Sequence, residues 1–260
     1  MTPRLGNNSK RATAEAPEHL LPGERRNHAD KSISNRILLS ISGAEFREIR
    51  PRLEFVDLPQ GLSLHEPSER LRFAYFLNRG LVSIVVATKG GRDVEAGVVG
   101  YEGVVGTALA VGLDRSPLRE VVQIEGDGFR VAAPELDNVL KSAPELQMML
   151  SRYAVLQGMQ VAQTAACNRL HDVAQRLARW LLMAQDRVDN GILPITHEFL
   201  ATMLGTDRPS VTLAAGVLQR ARAIQYSRGQ VKILDRKKLE TQACVCYRVI
   251  QQLNGELGLK

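Results

Sequence analysis

Two sets of residues in this 260-residue chain have types and spacings that could do chemistry. The first lies between Thr196 and Leu234. Val211, Ala214, Ala215 and Leu218 recur at helical spacing as an apolar face, leaving Arg208, Thr212, Gly216 and Gln219 on roughly the opposite side. A basic, hydroxyl-bearing helix face is what reading a DNA major groove requires, because a guanidinium can bond guanine through two hydrogen bonds at once. The second set is Cys167, Cys244 and Cys246, with the five histidines His19, His28, His65, His171 and His197. Cys244-Val-Cys246 falls in a stretch that reads as a C-terminal helix, where that spacing suits joint ligation poorly, and the histidines form no H-x-x-x-H pair. No metal site is expected from these spacings, although two close thiols could be redox-active. The histidines argue neither for nor against haem. No nucleophile–base pair or phosphate-cradling loop points to an enzyme.

The elements that must position the first set are legible in their caps and turns. Thr196 suits a helix N-cap, Glu198 sits where the helix dipole favours an anion, and Phe199, Leu200, Met203 and Leu204 make an apolar stripe. Gly205 can end that helix in a left-handed conformation. Thr206 or Asp207 can cap a second helix whose first turn accommodates Pro209, over about 207–221. Ile224 to Leu234 then reads as a strand, a turn at Gly229 and a second strand. A helical hairpin alone also suits protein contacts. A β-hairpin placed directly after it makes a winged helix-turn-helix.

Thr196, Ala201, Leu204, Gly205, Thr206, Arg208, Val211 and Leu218 together resemble the DNA-binding domain of the Crp/Fnr family of bacterial transcription regulators. The resemblance implies a DNA-binding regulator with double-stranded DNA, a second copy of the chain and RNA polymerase as partners. Arg208 is expected to make the main base-edge contact, with Ser210, Thr212 and Gln219 reaching bases or phosphates. Thr196, Arg220, Arg228 and Lys232 complete the expected contact set, the last three gripping backbone. Family members often carry a glutamate and a second arginine on this helix, whereas Pro209 and Leu213 stand there here, so a different half-site is expected.

Upstream, short runs of strand-forming residues at Leu53–Leu58, Phe73–Leu77, Leu81–Thr88, Val94–Val99, Val121–Glu125 and Phe129–Ala132 suggest an antiparallel sandwich or barrel. The stretch from Leu58 to Ile84 resembles the family's effector-binding β-roll, so the resemblance extends over nearly everything after residue 33. In relatives that bind cyclic nucleotides, a Gly-Glu pair is followed by Arg-Ser or Arg-Thr, the arginine neutralising the cyclic phosphate. The matching candidates here are Gly100, Glu102, Arg115 and Ser116, for a small-molecule effector. Tyr101 or Thr107 stands where the glutamate should follow glycine, and Pro117 disturbs the segment, which counts against a cyclic nucleotide. Relatives that sense oxygen ligate a cluster with four cysteines, and three cysteines do not supply that set. The cofactor is unassigned.

Met149, Tyr153, Leu156, Gln160, Gln163 and Cys167 alternate at four and three residues, a coiled-coil-like seam with packing against the roll as the other reading. The resemblance makes it the dimer interface. Val173, Leu177, Trp180, Leu181 and Ala184 mark the next helix, and the junction at 168–172 is the expected hinge. Arg236–Leu257 reads as one long terminal helix.

The expected organisation is α+β: a disordered tail over 1–32, an antiparallel, jelly-roll-like β-roll over 33–142, a dimerisation helix over 143–168 and a winged helix-turn-helix over 169–260. Charge agrees with this division. Lys and Arg outnumber Asp and Glu by 14 to eight over 166–260 but stand at 14 to 16 over 33–165. A cationic reader releases counterions from DNA and gains sequence-independent affinity. No apolar run approaches the roughly 18–20 residues of a membrane span. The N-terminus lacks a signal-peptide core and the cysteines form no even framework, so a cytoplasmic protein without membrane contact is expected.

Overall fold

The computed structural model describes residues 20–88, 93–188 and 191–256. The described residues begin with strands β1 (Arg25–Arg26) and β2 (Ser32–Ile33), then helices α1 (Arg36–Ser40) and α2 (Gly43–Ile49). The tail expected over 1–32 is therefore corrected from residue 20 onward, residues 1–19 lying outside the described residues. The reason is local: Arg25 donates to the carbonyls of Leu38 and Ile41, and Asn27 to that of Leu53, so this segment closes the end of the roll.

The roll is built on β3 (Glu54–Leu58), β4 (Ser63–His65), β5 (Phe73–Val86), β6 (Val94–Val99), β7 (Val104–Val105) and β8 (Arg119–Ala132). Strands β3, β8, β5 and β6 lie side by side in that order, β4 pairing with β8 and β7 with β5. The four runs read as separate strands at 73–77, 81–88, 121–125 and 129–132 are two long strands. Their register shifts between Leu77 and Val82, where Gly80 (φ +94°) meets Gly126, whose Cβ would stand 2.1 Å from the Arg79 carbonyl. The glycines bend a continuous pair, which the sequence pattern shows as interruptions.

Helix α3 (Ala133–Leu140) leads to the 27-residue α4 (Pro144–Leu170), with Pro144 in its first turn. Leu146, Met149, Leu150 and Tyr153 join Phe76, Phe129 and Ile37 in the roll's core. Tyr153 fits because Gly103 leaves room: a Cβ there would stand 2.0 Å from the tyrosine oxygen. Lower on α4, Gln160 donates to Asn254 and Gln163 to the Cys246 sulfur. The seam expected to pair two protomers is thus an internal face. Met149, Tyr153, Leu156 and Gln160 are buried within one chain, and Gln163 is engaged there.

Helix α5 (Val173–Gln185) starts with a capping box between Asp172 and Gln175. The reader continues through β9 (Ile192–Leu193), α6 (His197–Met203), α7 (Arg208–Arg220), β10 (Ile224–Ser227), β11 (Gln230–Ile233), α8 (Arg236–Gln242) and α9 (Cys246–Glu256). The expected single terminal helix breaks at Ala243, because α8 buries Leu239 in the reader core while α9 turns back along α4. Leu257 lies outside the described residues.

Roll and reader share a core. Leu81, Val98 and Ile124 of the sheet pack with Leu177, Trp180 and Leu181 of α5. Two buried carboxylates tie the same interface. Glu95 accepts from the Trp180 indole at 2.8 Å and from Ser83, and Glu102 accepts from Arg187 Nε at 2.8 Å. Burial pushes the Glu95 carboxyl up to about 7, against the smaller opposing effects of its hydrogen bonds.

Two outcomes follow. Gly103→Ala forces the new methyl against Tyr153 and should destabilise the fold by about 1–3 kcal/mol in denaturant unfolding; unchanged stability would contradict the close approach. Because the folded-state pKa of Glu95 is raised, its contribution is complete below the carboxyl's ordinary value of 4.5 and lost as pH rises through about 7. Trp180, the single tryptophan, should report this as a fluorescence titration with a midpoint near 7 that Glu95→Gln abolishes. An identical titration in the variant would refute the assignment.

Candidate functional site

The candidate contact residues lie on one cap-and-turn framework. Thr196 Oγ1 accepts the Phe199 amide at 3.2 Å and starts α6; Gly205 (φ +57°) ends it; Asp207 accepts the Ser210 amide at 2.7 Å and starts α7. Val211, Ala214, Ala215 and Leu218 are buried, so the helix is fixed by its apolar face. Arg208 is its first residue and is exposed, as are Pro209, Leu213, Val217 and Arg220.

Two expected contact residues have local duties. Thr212 Oγ1 donates to the Arg208 carbonyl at 3.0 Å and lies 3.0 Å from His197 Nδ1. Gln219 accepts the Tyr226 amide at 2.9 Å, pinning α7 to the first strand of the wing. Ser210 is half-buried, its amide held by the cap. Arg228 and Gly229 form the wing's two-residue turn, both at positive φ (+47° and +76°), as a type I′ hairpin needs. Arg228 therefore sits exposed at the tip, and Lys232 is exposed on β11.

Sequence reasoning missed His197. Its ring stacks on Tyr226 with centroids 3.9 Å apart, and its amide donates to the Tyr226 hydroxyl at 3.2 Å. Burial, then the nearby Arg208 charge, holds its pKa below the ordinary histidine value, which favours the neutral ring. With Thr212 and Gln219 it joins α6, α7 and the wing into one unit. Its position directly after the Thr196 cap was the available signal, and it carries no motif of its own.

The effector candidates do not converge, and that expectation is corrected. Glu102 is buried against Arg187, and a Cβ on Gly100 would meet the Arg187 chain at 2.6 Å, so these two belong to the roll–reader contact. Arg115 is on the surface, donating to the Ser68 carbonyl at 2.7 Å, while Ser116 Oγ accepts the Leu118 amide. A cleft of about 630 Å³ opens elsewhere, between Asp57, Arg79 and Glu125 of the roll and Val188, Ile192 and Pro194 of the reader.

The cysteine expectation also changes. The Cys167 and Cys244 sulfurs lie 3.5 Å apart, and Cys246 Sγ lies 3.6 Å from His171 Nδ1. The break between α8 and α9 brings these four together, a meeting that linear spacing conceals. Among the described residues, no helix is long and apolar enough to cross a membrane.

Comparison with known proteins agrees with this geometry. Residues 175–242 match the Crp-like helix-turn-helix domain. A search of curated proteins returned no match. Among solved structures, FixK2 from Bradyrhizobium japonicum is similar at 14% identity and TM-score 0.64, over 74% of this chain and 98% of that one. A transcriptional regulator of the Crp/Fnr family from Eubacterium rectale is similar at 18% and 0.61, over 78% and 94%. The regulator TTHB099 from Thermus thermophilus is similar at 22% and 0.59, over 72% and 96%. Residues 175–242 thus carry a Crp-like helix-turn-helix domain, and the chain around it has the fold of those Crp/Fnr regulators.

Proposed function

We propose that the protein binds operator DNA as a homodimer, with α7 in the major groove and the wing on the backbone. One observation carries the reading. Arg208, Arg220, Arg228 and Lys232 are exposed and none has an acidic partner among the described residues, whereas Arg52, Arg79, Arg119, Arg130 and Arg236 are all ion-paired. Unpaired cations on a rigid reader suit phosphate oxygens. Arg208, at the N-terminal end of α7, is assigned to base edges. Thr212 and Gln219 are assigned to holding the reader together, with Ser210 and Thr196 at the helix starts, where phosphate contacts form.

The dimer is proposed to form on the other face of α4. Met148, Arg152, Val155, Met159, Ala162 and Ala166 alternate at four and three residues, one position before the buried seam. Val155 is 61% exposed and Met159 51%, a poor use of apolar side chains unless a partner covers them. Pairing along this helix would set two recognition helices about one DNA turn apart, ~34 Å. A small-molecule effector is assigned to the cleft between roll and reader, whose size suits one and whose walls come from both domains.

Arg208→Ala should weaken cognate operator binding by about 1–3 kcal/mol and relax sequence preference while the protein stays dimeric. Unchanged affinity and preference in a gel shift would remove the central assignment. Val155→Glu should give a monomer by light scattering, with operator affinity falling alongside. A dimer that persists would place the interface elsewhere.

A further inference from the structure

The four groups gathered where α4 meets the C-terminal segment have the composition of a metal centre. Cys167 and His171 are spaced i and i+4 at the end of α4, so they share one helix face, and His171 is the residue at which that helix stops. Cys244 and Cys246 stand at the start of α9, after the break at Ala243. All four ligand atoms lie within 4.8 Å of one another.

The distances select a single ion. With Zn–S of ~2.3 Å and Zn–N of ~2.0–2.1 Å, a tetrahedral centre has ligand–ligand edges of roughly 3.6–3.8 Å. The Cys167–Cys244 sulfurs are 3.5 Å apart and the Cys246 sulfur is 3.6 Å from His171 Nδ1. A multi-iron cluster interposes several atoms between its thiolates and needs a wider spread.

The surroundings select an anionic centre. Cys167, Cys244 and Cys246 are buried as a cluster of their own, apart from the two main cores. Arg176 and Arg179 are also buried, and neither has a carboxylate partner among the described residues. Arg176 Nη2 donates to the Leu204 carbonyl and Arg179 Nη1 to Thr164, but both Nε–H groups lack an acceptor. Two buried like charges beside three neutral thiols would be costly. Three thiolates and a divalent ion leave one negative charge, which offsets one of the two. Gln163 Nε2 donates to the Cys246 sulfur at 3.0 Å, as outer-shell donors to ligating thiolates do.

We propose that Cys167, His171, Cys244 and Cys246 form a structural zinc site that clamps the junction of α4 and α5 to the start of α9. The histidine binds as a neutral ring through Nδ1, each thiol releases its proton to solvent on binding, and zinc undergoes no redox change. The four ligands leave no open position for catalysis, so the site's work is to fix where the reader leaves the long helix. This claim stands independently of operator binding.

The test uses full-length protein purified without chelator under reducing conditions. Elemental analysis should find about one zinc per chain, and Cys244→Ser should lose most of it. Because that variant could misfold, the wild-type protein is also stripped and loaded with Co²⁺. Intense visible bands of a tetrahedral ion and thiolate charge-transfer bands should appear, with His171→Asn shifting the former. Gln163→Ala should lower affinity by about 10–100-fold while leaving those bands in place. Wild-type protein that neither retains zinc nor develops tetrahedral Co²⁺ spectra would overturn the proposal. So would iron with acid-labile sulfide, or a Cys167–Cys244 disulfide in the protein as isolated.

Discussion

The structure depends on how the reader is seated on the roll. Burying a carboxylate is unfavourable unless a donor meets it, and the sheet buries two at this contact, Glu95 and Glu102. Trp180 and Arg187 meet them from α5 and the turn that follows it, while Leu81, Val98 and Ile124 supply an apolar floor. Position and orientation of α5 are thereby set together. Since Val211 and Leu218 of α7 pack in the same core as Leu177 and Leu181, seating α5 also sets the angle at which α7 is offered to DNA. With the Glu95 carboxyl pushed up to about 7 by burial, the seating carries a dependence on pH.

Helix α4 carries the second constraint, because its two faces have different work. One packs into the roll and against α9; the other leaves Met148, Val155 and Met159 in solvent. An exposed stripe, proposed above for a partner, and a core stripe run side by side, one residue apart. The lower end of the same helix holds Cys167 and His171 beside the junction with α5, so whatever fixes these side chains fixes that junction. Roll and C-terminal helices are joined through one element.

Much of this was readable from residues. Thr196, Asp207, Gly205 and Gly229 specify caps and turns by local chemistry, and each stands where that chemistry places it. Strand positions were legible, but not the continuity of β5 and β8, because Gly80 and Gly126 look the same in sequence whether they bend a strand or end it. The α4 seam failed differently: heptad spacing was present on two adjacent stripes, and periodicity does not say which one a roll will cover. Glu102, Arg115 and the three cysteines failed because their partners are distant in sequence. Arg187 is 85 positions from Glu102, and Cys244 is 77 from Cys167. Loop closure, not local propensity, decides such meetings.

Two α7 helices, held by α4 and seated by the roll, are proposed to read adjacent major grooves. Hydroxyl-radical footprinting tests it most directly, on a fragment selected from random DNA by the wild-type protein. The predicted pattern is two protected segments related by a two-fold axis, with centres one helical turn apart, about 10–10.5 base pairs. A single protected half-site, or failure to enrich any sequence from the pool, would contradict it.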